Sequence, residues 1–459
     1  MTATGVKDST SIDSSTDGAW SVRDWLREKH PKQLALLSSF EMQLRMGQLS
    51  SSSSSSQAPD SRLALTLRTV EILKTLIGST RWKSPAQLLA ILRGFGRETD
   101  AAGGFREPAI GNVVRRVIAA VREEVLSGTV AVTESDKSNP TAPRGRLDRS
   151  SLESMLWSLP QHVKSNASRG LSLQHSSSQD QPPRRGGRSE SIGSVGDIME
   201  KQTMSDYSYN LPPIFFQPPR SDLKQSIMEA IQEITSDLED LHKTINEQAT
   251  SHIHSGEVIL TYGKSDTILE FLKAAADKKL RFTVIVCEGA KQNDTFEGHE
   301  MARLLAEVPT EAGNVIEDTC VIPDSAIFAM MARVNKVLLP AHAVLANGGL
   351  VSSSGSNLVA LAAAENAVPV VCLTGIYKLT PTFPHEDQDT LNDLLSPSSI
   401  IDYASSQGMG GSVDFVNPLH DYVRPELVKL YVTNVGSFQP SYIYRLLSEY
   451  YHQDDWAAF

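Results

Sequence analysis

Asn347, Gly348 and Gly349, followed by Ser352, Ser353, Ser354 and Gly355, set small residues and hydroxyls ahead of an Ala-rich segment that reads as a helix. Backbone N–H groups in such a loop, backed by the positive end of a helix, can hold an anion such as a phosphate. The titratable residues flanking this loop are His342 upstream and Glu365 far down the helix. A cradle with no general base or nucleophile beside it binds at most.

Other reactive residues are scattered. Gly263-Lys264-Ser265 resembles the end of a nucleotide-phosphate loop, but Val258 stands five residues earlier where that loop needs Gly. No Gly-x-Gly-x-x-Gly follows the same strand, which removes the usual dinucleotide reading. His299 adjoins Glu300, but neighbouring helical residues point in different directions, so both are assigned to a helix start along with nearby Glu288. Asp324 reads as a helix cap. His252 and His254 lack a third ligand at metal-binding spacing and read as polar groups at a domain junction. Cys287, Cys320 and Cys372 lie far apart in strand-like runs, as buried free thiols in a reducing compartment would.

These residues must be positioned by elements whose periods are legible. Segment 255–459 alternates apolar, β-branched runs with helical ones: EVILTYG, RFTVIVCEG, NVIEDTCVIP, NKVLLPAHAVL and VPVVCLTG, separated by SDTILEFLKAAADKK, GHEMARLLAEV, DSAIFAMMARV and GSNLVALAAAENA. Alternation at these lengths implies βαβ units and a buried parallel sheet. RPELVKLYVTNVG and PSYIYRLLSEYY are read as two closing helices. The fold class is therefore α/β, with an N-terminal helical domain followed by a Rossmann-like, doubly wound domain.

Ahead of this domain, 221–254 reads as one long helix capped by Ser221 or Asp222. Its seam of Leu223, Ile227, Ile231, Ile234, Leu238, Leu241 and Ile245 suits packing on a helical bundle or a partner helix. Segment 63–126 is helical, with Leu63, Leu67, Val70, Leu73 and Ile77 at helical spacing. SPAQLLAILRGFG carries a Ser cap, Pro at the first helical position and Gly past the expected end. A third helix holds Arg115 and Arg116, which read as an anion contact or as a solvated flank. Residues 1–62 form an N-terminal segment broken by a serine tract. Residues 127–220 are a Ser/Arg/Pro-rich insertion expected to be mostly disordered, with SLESMLWSLP as an apolar island.

The chain has 459 residues and a net charge of −11, which argues against coating nucleic acid. No run approaches a membrane span, and the first residues lack a signal-peptide core, so a cytosolic protein is expected. No motif calls for a cofactor or a metal.

GKSDTILEFLKAAA, EGHEMARLL, DSAIFAMMARVNKVLL, LANGGLVSSSGSNLVALAA, GIYKLTPTFP, DYVRPELVKLYVTN and PSYIYRLLSEYYHQDD together resemble the subunits of eukaryotic translation initiation factor 2B, on their beta branch. TRWKSPAQLLAILRGFGR and GNVVRRVIAAVREE are similar to the helical domain of the same family. The resemblance implies a regulatory, non-catalytic subunit of a guanine-nucleotide exchange factor, whose exchange chemistry belongs to the epsilon subunit. It implies pairing with delta, contact with gamma and epsilon, and a core shared with alpha. That core senses translation initiation factor 2 phosphorylated on its own alpha subunit.

The fold is also similar to that of methylthioribose-1-phosphate and ribose-1,5-bisphosphate isomerases. By that resemblance Gly263 stands where they carry a cysteine, and His342 where they carry an acid. Isomerase activity is therefore expected to be absent, leaving the 347–355 loop a vestigial anion site at most. The alternative is a sugar-phosphate isomerase or sugar-phosphate-binding homo-oligomer, and a weaker one is a helical adaptor using the Leu223–Ile245 seam. For the phosphorylated substrate, Arg115, Arg116 and Arg122 are the candidate contacts.

Overall fold

The computed structural model describes residues 21–46, 61–103, 106–134, 211–292, 295–307, 316–384, 392–406 and 413–456. Residues 1–127 with 210–459 form one compact unit, and 128–209 a second, of which only 128–134 are described. The serine tract, SLESMLWSLP and the Arg/Gly-rich part of the insertion lie outside the described residues.

The helical layer contains α1 (Val22–Lys29), α2 (Pro31–Arg45), α3 (Ser61–Ser79), α4 (Pro85–Ala101) and α5 (Pro108–Glu134). It begins at Val22 rather than 63, because Val22, Leu26, Leu37 and Phe40 are buried in the same core as α3 and α4. The Ser84 hydroxyl accepts from the Gln87 N–H at 3.3 Å and Pro85 opens α4. The helix then runs past Gly94 and Gly96 to Ala101, beyond the end expected from the sequence. Burial of Leu92 and Phe95 there outweighs the roughly 1 kcal/mol by which each glycine weakens a helix. At the other side of the insertion, Phe215 is buried against α4, so folded structure resumes before 220.

The expected long helix of 221–254 is three: α6 (Leu223–Glu239), α7 (Leu241–Glu247) and α8 (Ala249–His252). The joints fall at Asp240 and Gln248, and the Asp222 side chain makes no capping bond. Every seam residue from Leu223 to Ile245 is nonetheless buried, in the core shared with the helical layer.

The α/β layer comprises β1 (Glu257–Tyr262), α9 (Asp266–Asp277), β2 (Phe282–Cys287), the short hairpin β3 (Lys291–Gln292) and β4 (Thr295–Phe296), and α10 (Glu297–Ala306). It continues with β5 (Ile316–Ile322), α11 (Ile327–Met331), β6 (Lys336–Pro340), β7 (Ala343–Val344), β8 (Leu350–Ser353), α12 (Ser356–Glu365) and β9 (Val370–Leu373). It closes with α13 (Tyr403–Ser406), β10 (His420–Val423), β11 (Leu430–Val432), β12 (Ser437–Phe438) and α14 (Ile443–Tyr450). Seven strands form one sheet in the order β12-β11-β9-β6-β1-β2-β5, parallel except for β12. A second, antiparallel sheet has the order β10-β8-β7.

Segment 424–436, read as a helix from sequence, supplies β11. Tyr431 pairs with Cys372 and Val432 with Leu373, both in β9, and the pairing fills a sheet edge that would otherwise stay open. Side chains alternate across the sheet. Ile259, Val284, Val286, Leu338 and Val371 join the core of the helical layer, whereas Leu260, Ile285, Leu339 and Cys372 join the core under α11, α12 and α14. Burial on both faces is why these strands read as nearly continuous apolar runs. The chain adds β2 and β5 on one side of β1 and then returns to β6 on the other, so the topological switch point lies between β1 and β6.

Candidate functional site

Gly263 follows β1 and His342 lies two residues beyond β6, so the two positions of interest flank the switch-point crevice at the carboxyl ends of the strands. Gly263 has φ +60°, and its N–H donates to the Cys287 carbonyl at 3.3 Å. A Cβ built there would lie 3.0 Å from a Glu297 carboxylate oxygen. Beside it the Tyr262 hydroxyl donates to Asp324 at 2.8 Å, and the other Asp324 oxygen accepts from the Gly289 N–H at 3.1 Å. Asp324 therefore ties the ends of β1 and β2 together rather than capping a helix. Burial, with Asp324 close by, raises the Tyr262 hydroxyl well above its ordinary range. Burial likewise pushes the Cys287 thiol up to about 12, so it is no nucleophile at neutral pH.

His342 is buried, and its Nε2 lies 3.0 Å from the Arg106 carbonyl. A carbonyl can only accept, so this nitrogen carries hydrogen. The imidazole stacks on that of His420 with centroids 3.9 Å apart. Both rings line a cleft of about 830 Å³, together with Asn357, Asp393 and Asp421. At its rim Arg106 pairs with Asp393 at 3.2 Å. His342 is thus engaged with the backbone of the segment leading into α5.

The Gly- and Ser-rich loop is divided in two. Asn347, Gly348 and Gly349 form the turn between β7 and β8, where the Gly349 N–H donates to Asn347 Oδ1 at 2.9 Å and the Tyr431 hydroxyl donates to the Gly348 carbonyl at 2.8 Å. Ser352 and Ser353 lie in β8, and the Ser352 hydroxyl donates to the Pro340 carbonyl at 2.7 Å. Gly355, at φ +103°, opens α12. Its N–H donates to Asp421 Oδ2 at 2.7 Å, and the Asn357 N–H donates to the same oxygen at 3.1 Å. An anion does sit at this helix end, and it belongs to the chain itself.

Of the three arginines, Arg115 and Arg122 are buried and Arg116 is partly exposed. Arg122 holds Asp455 through Nε at 2.9 Å, and Arg93 holds the same carboxylate at 2.5 Å. Arg115 Nε donates to the Asp455 carbonyl at 3.2 Å. Burial lowers the Arg115 guanidinium, opposed by Tyr451, Asp100 and Asp455. Arg116 lies 5.4 Å from the Tyr450 ring centroid and 3.4 Å from Glu123. Elsewhere, His299 pairs with Glu288 at 3.2 Å rather than with its neighbour Glu300, and His252 meets the Ser437 hydroxyl at 3.0 Å. Cys287 and Cys372 are buried and Cys320 is half-buried; all three are free. Among the described residues no cluster of three potential metal ligands occurs, and no helix is long and apolar enough to cross a membrane.

Asp421 and Asp455 are the carboxylates whose contacts sequence reasoning missed. Both lie in segments that carry the family resemblance, but their partners lie 64 to 66 and 333 to 362 residues away.

A doubly wound sheet carrying a helical layer, with a cleft lined by His342 and His420 and a helix end taken by Asp421, defines the α/β architecture of this chain. The chain belongs to the initiation factor 2 subunit family, whose model matches residues 205–440. It is 34% identical over 397 residues to translation initiation factor eIF2B subunit beta of Schizosaccharomyces pombe, covering 85% of this chain and 92% of that protein. It is 47% identical over 233 residues to the eIF2B subunit beta of Dictyostelium discoideum, covering 51% of this chain and 57% of that one. The crystal structure of eIF2B beta from Chaetomium thermophilum shares the fold, with a TM-score of 0.58 at 21% identity over 95% of this chain and 96% of that one. The tetrameric eIF2B-beta2-delta2 complex from C. thermophilum aligns with a TM-score of 0.54 at 21% identity, over 94% and 98%. The family and fold expected from the motifs are borne out.

Proposed function

We propose that this chain is a regulatory, non-catalytic subunit of the guanine-nucleotide exchange factor for translation initiation factor 2, occupying the beta position. The observation that carries this reading is the match to an eIF2B subunit beta across 92% of that protein's length. The crevice agrees with it, because Gly263 has no thiol, His342 is bonded to a backbone carbonyl, and Asp421 fills the anion position. A chain with no reaction to perform exerts its effect through its surfaces. The beta-delta tetramer from C. thermophilum supports delta as the first partner of this chain, and the family resemblance supports alpha, gamma and epsilon as the others. The substrate is initiation factor 2, with its phosphorylated alpha subunit read by the assembled core in the cytosol. Of the candidate contacts, Arg116 is the one with its guanidinium partly in solvent.

The test is co-expression of the tagged full chain with a delta-type subunit, followed by purification and light scattering. A stable complex containing both chains in equal number is expected. A chain that elutes alone from every such preparation would sink the reading.

A further inference from the structure

The cleft of about 830 Å³ is lined by two histidines that a role in assembly leaves without a task. His342 stands just ahead of β7 and His420 opens β10, the two strands that flank β8. Their imidazoles stack with centroids 3.9 Å apart and planes 25° from parallel. Both backbones are fixed. The His342 N–H donates to the Val351 carbonyl at 2.8 Å, and His420 pairs with Ser353. The Asn392 side chain accepts from the His420 N–H at 3.1 Å and donates to the His420 carbonyl. The His342 ring in turn holds the Arg106 carbonyl through Nε2 at 3.0 Å, and the Arg106 side chain pairs with Asp393 at 3.2 Å. The rings thus fasten the segment leading into α5 to the small sheet. Among the described residues, the charged side chains lining the cleft with them are Arg106 ahead of α5, Asp393 after β9, Asp421 in β10, and Arg424 and Glu426 beyond β10. Three carboxylates against two guanidinium groups leave one negative charge. One imidazolium is balanced by that charge, whereas two would face each other across 3.9 Å with one uncompensated. Imidazole is also the only side chain whose ordinary titration falls between about pH 5 and pH 8.

We propose that the His342–His420 stack is an acid-sensitive latch across the cleft, closed while at most one ring carries a proton and opened when both do. The part that yields is the Arg106 segment, because the backbones of both histidines are pinned to the small sheet and its neighbours. Acidification then parts the cleft wall carrying Arg106 from the wall carrying β10. The unfolded chain takes up both protons below about pH 6.5, and the closed latch takes at most one. Protons therefore favour the open form, and closure loses stability as pH falls through that range. The inference concerns the single chain and does not depend on its assembly with other subunits.

The experiment follows amide hydrogen exchange of the full-length chain from about pH 8 to about pH 5, corrected for the intrinsic effect of pH on exchange. In wild type, the peptides holding Arg106 and His420 are expected to exchange faster at the acid end, by about tenfold per pH unit once the second proton binds. His342→Gln keeps an N–H for the Arg106 carbonyl and carries no charge, and His420→Phe keeps a ring for the stack. In both variants these peptides should stay protected at the acid end, while exchange elsewhere follows wild type. If one variant does not fold, the other carries the comparison. If neither folds, NMR of the ring C2 protons in wild type decides, and the second protonation must coincide with the loss of protection. Wild-type exchange that does not change with pH would overturn the proposal. So would acceleration as large in the folded variants, or two protonated rings in a chain that stays closed.

Discussion

Arg122 in α5 and Asp455 near the end of the chain meet as a buried ion pair, with Nε 2.9 Å from Oδ2 across 333 residues of sequence. Arg93 from α4 reaches the other oxygen, and Arg115 reaches the Asp455 carbonyl. The turn holding Asp455 thus plugs into the helical layer, and one carboxylate balances the buried Arg122 guanidinium and the partly buried Arg93 guanidinium. Replacing Asp455 with Ala strands those charges. Such a loss costs about 3–5 kcal/mol, and the urea midpoint should fall accordingly. An unchanged midpoint would show that the tail contributes nothing to the union of the two layers.

Gly355 and Gly256 separate backbone strain from steric exclusion. Both have positive φ, +103° and +83°. A Cβ on Gly355 would lie 1.9 Å from the Tyr262 hydroxyl, whereas one on Gly256 meets nothing within 4 Å. Gly256→Ala should cost about 1 kcal/mol from strain alone. Gly355→Ala should cost about 3 kcal/mol or more, because overpacking is added. Equal losses in denaturant titrations of the two variants would contradict the close approach of Tyr262 to the start of α12.

Introducing the thiol and the carboxylate that the isomerase resemblance would call for should not create a reaction. In the Gly263→Cys, His342→Asp double variant, the new Cβ at 263 lies 3.0 Å from the Glu297 carboxylate on a backbone with φ +60°. The carboxylate introduced at position 342 would face the Arg106 carbonyl as acceptor against acceptor. The expected result is no isomerisation of methylthioribose 1-phosphate above buffer and a lower melting temperature than wild type. Turnover by either protein would reinstate the enzymatic reading.

The neighbouring arginines of α5 should part company on substitution. Arg115→Ala removes a buried guanidinium and its bond to the Asp455 carbonyl, and should destabilise the chain by about 2–3 kcal/mol. Arg116→Ala removes a half-exposed side chain lying over Tyr450 and should cost about 1 kcal/mol or less. In the assembled factor, Arg116→Ala should weaken binding of phosphorylated initiation factor 2 more than the unphosphorylated form. Loss of both forms in equal measure would assign Arg116 to structure alone.

Most of the sheet was legible because a strand buried on both faces must be apolar along its whole length, as Val284 to Cys287 and Leu338 with Leu339 are. β11 was not, because Leu427, Leu430 and Tyr431 stand at i, i+3 and i+4, the spacing of a helix. Only the open edge of β9 settles that choice, and an edge is a property of the assembled sheet. The joints at Asp240 and Gln248 carry neither Gly nor Pro to mark them. In the site, the positions of Gly263 and His342 at the strand ends followed from the pattern. Their closure by Glu297, Arg106 and Asp421 did not, because each contact joins segments distant in sequence, with nothing local to announce it. The arginines of α5 show the same limit. Their spacing is that of a surface helix, yet the segment holding Asp455 folds back to cover two of them.

Whether this chain regulates exchange without catalysing it is tested most directly by GDP release from initiation factor 2. The measurement uses the reconstituted factor assembled with and without this chain. Both preparations are predicted to release GDP from the unphosphorylated substrate through the epsilon subunit, with inhibition by the phosphorylated substrate strong only when this chain is present. Inhibition of equal depth in its absence, or GDP release by this chain alone, would contradict a purely regulatory role.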